Sequence, residues 1–67
     1  MNIKFTLLAF EREILNEILS TDLIKEIEFY KSVENLKYIK EDVVYIIEWE
    51  WVPEENLVII HTVYKFV

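Results

Sequence analysis

His61 is the only histidine in the sequence and the first candidate for acid–base chemistry. In the hairpin predicted below it faces Glu48, and a carboxylate beside an imidazole favours the protonated ring and can orient it as a general base. The chain has no cysteine, and its serines and threonines lie near no glycine-built turn that would make one of them a nucleophile. We therefore interpret the two residues as a cross-strand polar pair and predict that the protein is not an enzyme. The alternative is a minimal enzyme that uses this pair.

The residue types of the chain support neither a metal site nor a phosphate site. One histidine and scattered carboxylates show no recognisable ligand spacing, and the absence of cysteine excludes thiolate sites. The chain also lacks glycine, which excludes the glycine loops that bind phosphate and requires turns built from Asn, Asp, Ser or Pro. We expect no metal and no cofactor.

Acidic residues are concentrated in the C-terminal part of the chain. Residues 1–40 contribute −1 to the net charge of −6, and residues 41–67 contribute −5. Such a field attracts basic proteins and disfavours nucleic acid and anionic membranes. A tryptophan at the end of a hairpin adds the kind of side chain that is common at binding hot spots. The predicted partner-binding residues are Glu41, Asp42, Glu48, Glu50, Trp51, Glu54 and Glu55. The alternative is that these carboxylates only keep an apolar protein soluble.

The elements that position these residues begin with a C-terminal β-hairpin. Residues 43–52 and 57–67 are rich in β-branched and aromatic types and flank Pro53-Glu54-Glu55-Asn56. An even-length loop pairs Val52 with Leu57 and gives one face that is almost wholly apolar. The pairs on that face are Trp51 with Val58, Trp49 with Ile60, Ile47 with Thr62, Tyr45 with Tyr64, and Val43 with Phe66. The pairs on the other face are Glu50 with Ile59, Glu48 with His61, Ile46 with Val63, and Val44 with Lys65. We predict that the apolar face, with both tryptophans, is core, and that Trp51 lies partly beyond the cover of the helix.

The N-terminal half predicts a strand within residues 2–9 and an amphipathic helix over residues 10–20. The helix prediction depends on the spacing of Phe10, Ile14, Leu15, Ile18 and Leu19. Thr6 is an alternative N-cap for a longer helix.

The middle of the chain permits two interpretations. Residues 26–33 alternate apolar and charged side chains, which favours a strand, whereas Leu23, Ile24, Ile27 and Tyr30 would line a helix. We favour the strand and add a short return strand over residues 36–40. The predicted fold is α+β, with one amphipathic helix packed on an antiparallel sheet of about four strands, in a single domain spanning residues 1–67.

Size and composition set expectations for association and location. The chain has 67 residues, of which 54% are hydrophobic, and a mean hydropathy of +0.19, more apolar surface than one helix and a small sheet can cover. We therefore expect a homo-oligomer or an obligate partner. The N-terminal apolar stretch is too short for a signal peptide, and no segment approaches the ~20 apolar residues of a membrane span, so we expect a cytoplasmic protein.

These observations favour a small acidic protein-binding module. In this interpretation it acts as an inhibitor, immunity or counter-defence protein that occludes a basic surface of a partner, such as a surface that binds nucleic acid. The alternative is a self-associating structural or assembly subunit without catalytic activity. The abundance of Ile, Glu and Lys suggests a microbial or viral genome rich in A and T.

Overall fold

A computed structural model describes residues 1–66 of the chain. The elements follow in the order β1 (Asn2–Phe5), α1 (Ala9–Ile18), α2 (Thr21–Phe29), β2 (Asn35–Lys40), β3 (Val43–Val52), a 3-10 turn (Pro53–Glu55) and β4 (Leu57–Phe66). The predicted α+β class, the four-stranded sheet and the C-terminal hairpin are confirmed. The last residue of the predicted hairpin, Val67, lies outside the described residues.

The sheet is mixed, with the strand order β1-β4-β3-β2. Strand β1 runs parallel to β4, whereas the other two pairs are antiparallel, so the prediction of a purely antiparallel sheet is wrong. Backbone bonds from Asn2 N to Asn56 O and from Thr6 N to Ile60 O extend the parallel pairing at both ends. This contact joins opposite ends of the chain, and the alternation of side chains within β1 carries no information about its direction.

A second helix replaces the strand predicted over residues 26–33. Ser20 caps it, because its Oγ accepts a hydrogen bond from the backbone N–H of Leu23 at 3.2 Å. Leu23 and Ile27, one turn apart, are both fully buried. The strand prediction depended on Phe29, which alternates with Ile27 in sequence. Phe29 instead lies at the end of the helix and is 78% exposed.

Helix α1 (Ala9–Ile18) confirms the helix predicted over residues 10–20, although it begins one residue earlier and ends two residues earlier. Not all of the predicted apolar residues are buried. Leu15 and Ile18 are buried, whereas Phe10 is 61% exposed. The N-cap is Leu8, not Thr6, and its N–H donates to Glu11 Oε1 at 3.0 Å. The Glu11 side chain therefore satisfies one of the amides that a helix start leaves free.

Glutamates also cover strand edges where a shorter neighbouring strand ends. Beyond the end of β1, the N–H of Val63 in β4 donates to Glu11 Oε2 at 3.3 Å. Beyond the end of β2, the N–H of Trp51 in β3 donates to Glu34 Oε2 at 2.9 Å. These carboxylates bind amides that would otherwise be free to pair with another strand.

The hairpin register agrees with the prediction only near the loop. Val52 pairs with Leu57, Trp51 with Val58 and Trp49 with Ile60, as the even-length loop requires. A register shift between Glu48 and Trp49 then pairs Glu48 with Thr62 and leaves His61 as an extra residue. Every predicted pair beyond this bulge is therefore wrong by one residue. The observed pairs are Ile47 with Val63, Ile46 with Tyr64, Tyr45 with Lys65, and Val44 with Phe66.

Both helices pack on one face of the sheet. The core consists of Leu15, Ile18, Leu23, Ile27, Leu36, Tyr45, Ile47, Trp49, Val58, Ile60 and Val63. Its sheet members point to one side, and the bulge keeps Val63 on that side together with Ile60. The opposite side of the sheet carries no helix, and we call it the helix-free face. The longest helix within residues 1–66 has ten residues, too few to cross a membrane.

Candidate functional site

The bulge changes the pairing of the two residues proposed for acid–base chemistry. Glu48 pairs with Thr62, so the predicted pairing of Glu48 with His61 is wrong. Glu48 Oε1 instead accepts a hydrogen bond from the Tyr64 hydroxyl at 3.0 Å, and this bond raises the pKa of Tyr64 because it stabilises the protonated phenol. His61 Nδ1 lies 2.8 Å from Thr62 Oγ1, next to it in sequence. Residues 1–66 enclose no pocket and hold no cluster of three or more potential metal ligands.

The predicted partner-binding residues lie toward two ends of the sheet, except Glu48, which lies within β3. Glu41 and Asp42 form the turn between β2 and β3, whereas Glu54 and Glu55 lie in the loop between β3 and β4. Strand β3 separates the two turns, and its ten residues span about 33 Å at the usual rise per residue. The tertiary structure therefore divides the acidic segment of the sequence into two separate groups.

The larger group surrounds the β3–β4 loop, and we call it the acidic tip. It consists of Glu34, Glu50, Trp51, Glu54 and Glu55. All four carboxylate residues are exposed, while Trp51 is half-buried at the edge of the core. Three of them come from the hairpin itself, and Glu34 is brought to the same end by the connection between α2 and β2.

The loop that carries the tip has a defined backbone. Pro53 begins the 3-10 turn, where its fixed φ suits the first helical position. Asn56 ends it in the left-handed conformation at φ 48°, and its N–H donates to the carbonyl of Pro53 at 3.1 Å. Asn is one of the few residues other than glycine that adopt this conformation readily. The sequence Pro53-Glu54-Glu55-Asn56 therefore holds its two glutamates on a well-defined turn.

Trp51 is held from two sides. Its backbone N–H donates to Glu34, and the ammonium of Lys31 lies 4.7 Å from the centre of its ring, within the range of a cation–π interaction. Glu34 was not among the predicted site residues. The only sequence signal for it was the likeness of residues 32–35 to the Pro53 loop in residue types. Its own φ of 70° fits a tight turn.

A third charged cluster lies on the helix side of the sheet. Lys65 Nζ and Glu17 Oε1 form the one ion pair among the described residues, at 2.7 Å, and the Tyr45 hydroxyl donates to the same carboxylate at 3.2 Å. The hydrogen bond from Lys65 lowers the pKa of Glu17, and the same bond raises the pKa of Lys65. Burial of the ring, followed by its bond to Glu17, raises the pKa of Tyr45. These contacts join α1 to the sheet and leave no free group for chemistry.

The helix-free face combines apolar and charged side chains. Near the Glu41–Asp42 turn it presents Ile39, Val44, Ile46, Tyr64 and Phe66, which we call the apolar patch. Toward the acidic tip it presents Glu48 and Glu50. Comparisons with known protein families, with curated proteins and with solved structures find no match to this chain. The geometry and charge of these surfaces are therefore the observations that bear on function.

Proposed function

We propose that this protein is a small acidic binding module that acts in the cytoplasm and covers a basic surface of a partner protein. The observation that supports this proposal most directly is the acidic tip. Four exposed carboxylates lie at the same end of the sheet as a half-exposed tryptophan, Trp51, and Lys31 is the cation in contact with its ring. The role is one of occlusion, as in an inhibitor or an immunity-type protein.

Charge and shape would contribute differently to such binding. The negative field of the tip raises the rate of encounter with a basic partner, an effect that salt screens. The exposed part of Trp51 would provide apolar contact area at the centre of the carboxylates, where hot-spot residues are typically found. Because Pro53 and Asn56 define the loop before any partner arrives, little conformational entropy is lost on binding.

A basic surface that normally binds nucleic acid is the target best matched to this arrangement. Lysine and arginine side chains that contact phosphates also bind carboxylates through charge-assisted hydrogen bonds. The carboxylates of the tip would compete with nucleic-acid phosphates for these lysine and arginine side chains. The net charge of −6 disfavours direct binding of nucleic acid by this chain.

The proposal can be tested with two variants that remove the same charge from different places. The tip variant carries Glu50→Gln, Glu54→Gln and Glu55→Gln. The control carries Glu13→Gln, Asp22→Asn and Glu28→Gln, three exposed acidic residues on the helices. Wild type and both variants are used to capture proteins from native lysate, and circular dichroism checks that all three remain folded.

A basic protein that wild type and control capture, and that the tip variant does not, would support the proposal. The captured protein is then purified and titrated at low and high salt. We expect affinity to fall with salt for wild type and control, and to be weaker and less salt-dependent for the tip variant. Equal capture by the tip variant and wild type would contradict an acidic binding tip.

A further inference from the structure

The apolar patch exposes more large hydrophobic surface than a small monomeric protein needs. Ile39 is 61% exposed, Phe66 56% and Tyr64 43%. A buried aromatic side chain removes about 150–250 Å² from water, so covering the exposed parts of Tyr64 and Phe66 would hide roughly 100 Å² each. Val44 and Ile46, which are half-buried, fill the space between the exposed side chains.

The strand register shows that these residues are contiguous. Ile39 pairs with Val44, and Val44 pairs with Phe66, which forms one row across three strands. The next row lies two residues further along each strand and consists of Lys37, Ile46 and Tyr64. Residues paired within a row lie about 5 Å apart, and neighbouring rows on one strand lie about 7 Å apart. The five apolar side chains therefore form one continuous surface.

The charges on the helix-free face indicate what covers it. In the described strands, this face carries two lysines and two glutamates, and their charges cancel. These residues are Lys4, Lys37, Glu48 and Glu50. The net charge of −6 therefore resides on the rest of the molecule. Contact through this face brings together neutral surfaces with both signs of charge, which limits the repulsion between two copies that each carry a net charge of −6.

We propose that two copies of this chain form a symmetric dimer by packing their helix-free faces against each other. The two sheets would stack about 10 Å apart, with the apolar patches facing each other in a two-layer interface. The lysines and glutamates of each face would lie beside those of the partner, as a self-complementary interface requires. A standard interface buries about 800 Å² per partner, so the patch must be joined by this charged remainder of the face.

Dimer formation also meets a need that follows from size. A 67-residue chain without cysteine has no disulfide to supplement its thin core. Covering the apolar patch would bury further hydrophobic area and link stability to protein concentration. Of the tip carboxylates, Glu50 lies on the helix-free face and is shared by both proposals, whereas Glu54 and Glu55 lie in the loop at the end of the sheet and stay outside the dimer interface.

The test compares the oligomeric state of wild type with that of three variants, each of which carries one introduced lysine. Ile39→Lys and Phe66→Lys each place a charge in the patch. Phe29→Lys makes the same kind of change at an exposed residue on the helix side and is the matched control. Sedimentation equilibrium from about 1 μM to about 1 mM covers the range in which a dimer of ordinary affinity dissociates. Thermal melts at one concentration check folding.

We expect wild type and Phe29→Lys to sediment as dimers with the same dissociation constant. Each patch variant should dimerise at least about 100-fold more weakly, because every substitution occurs twice in a symmetric interface. A wild-type chain that stays monomeric throughout this range would overturn the proposal. So would dimers of both patch variants as stable as wild type, since the copies would then be joined through a strand edge or the helices. Loss of dimer in these variants with capture by the acidic tip retained would separate the two proposals.

Discussion

The indole Nε1 of Trp49 donates a hydrogen bond to the backbone carbonyl of Lys31 at 2.8 Å. Trp49 lies in the middle of β3 and is 2% exposed, whereas Lys31 belongs to the connection between α2 and β2. The backbone N–H of Trp49 also donates to the carbonyl of Glu34 at 3.0 Å. One core side chain therefore fixes the segment that brings Glu34 to the acidic tip.

Replacing Trp49 separates its packing from its hydrogen bond. Trp49→Ala should lower the free energy of unfolding by about 3–5 kcal/mol, because it leaves a large cavity in the core. Trp49→Phe keeps most of the packing but leaves the Lys31 carbonyl without its donor, for which we expect a loss of about 1–2 kcal/mol. Urea unfolding followed by circular dichroism measures both. An unchanged unfolding midpoint for Trp49→Ala would contradict its place in the core.

The bulge predicts that one residue of β4 can be deleted without loss of the fold. Deleting His61 would join Ile60 to Thr62 and preserve every observed pair on both sides. We expect this variant to fold, with a change in the free energy of unfolding of less than about 1.5 kcal/mol. Deleting Ile59 instead should turn the buried Val58 toward the other face and cost at least about 2 kcal/mol. Similar losses for the two deletions, measured by urea unfolding, would show that the observed register is wrong.

The turn between β2 and β3 should be open to stabilisation. Glu41 and Asp42 are the two residues of this hairpin loop, and their φ angles are 52° and 66°. Two-residue loops of this kind favour Asn-Gly, since most residues with a Cβ are strained at positive φ. The double substitution Glu41→Asn and Asp42→Gly should raise the free energy of unfolding by about 1 kcal/mol. Thermal melts measure the gain.

Asn56→Gly is the control for the turn substitution. Asn56 also has a positive φ, but asparagine already tolerates this conformation. We therefore expect only a few tenths of a kcal/mol from this change. A gain at Asn56 as large as that at the β2–β3 turn would contradict the explanation based on backbone conformation.

The pair formed by Glu17 and Lys65 predicts how stability changes with pH. Folding lowers the pKa of Glu17, so the pair contributes stability above the unfolded pKa of this carboxyl and loses it as pH falls through the folded pKa. Folding raises the pKa of Lys65, so its contribution is complete below its unfolded pKa and is lost as pH rises through the folded value. Glu17→Gln should therefore be less stable than wild type at neutral pH, and the two should converge in strong acid.

Urea unfolding at a pH of about 7 and at about 2 measures this convergence. Glu13→Gln removes a carboxylate from the same helix that makes no hydrogen bond or ion pair among the described residues, and it serves as the control. We expect the control to show no comparable convergence. A constant difference between Glu17→Gln and wild type at both pH values would show that the pair does not titrate as described.

Features that depend on neighbouring residues could be predicted from the amino-acid pattern alone. Alternating apolar residues and an even-length loop were sufficient to predict the hairpin and the pairing of Trp51 with Val58 and of Trp49 with Ile60. The helical spacing of Leu15 and Ile18 predicted α1. These features follow from local geometry, because side-chain period and loop length depend on only a few adjacent residues.

Features that join distant parts of the chain depend on how the whole molecule packs. Residues 26–29 fit either period, and the core selected a helix because it buries Leu23 and Ile27 together. The bulge at His61 keeps Val63 in the core and turns Lys65 toward Glu17 on α1, a contact that no spacing within β4 reveals. Local pattern fixes which elements form, whereas the fit between their buried faces decides where each charged residue lies.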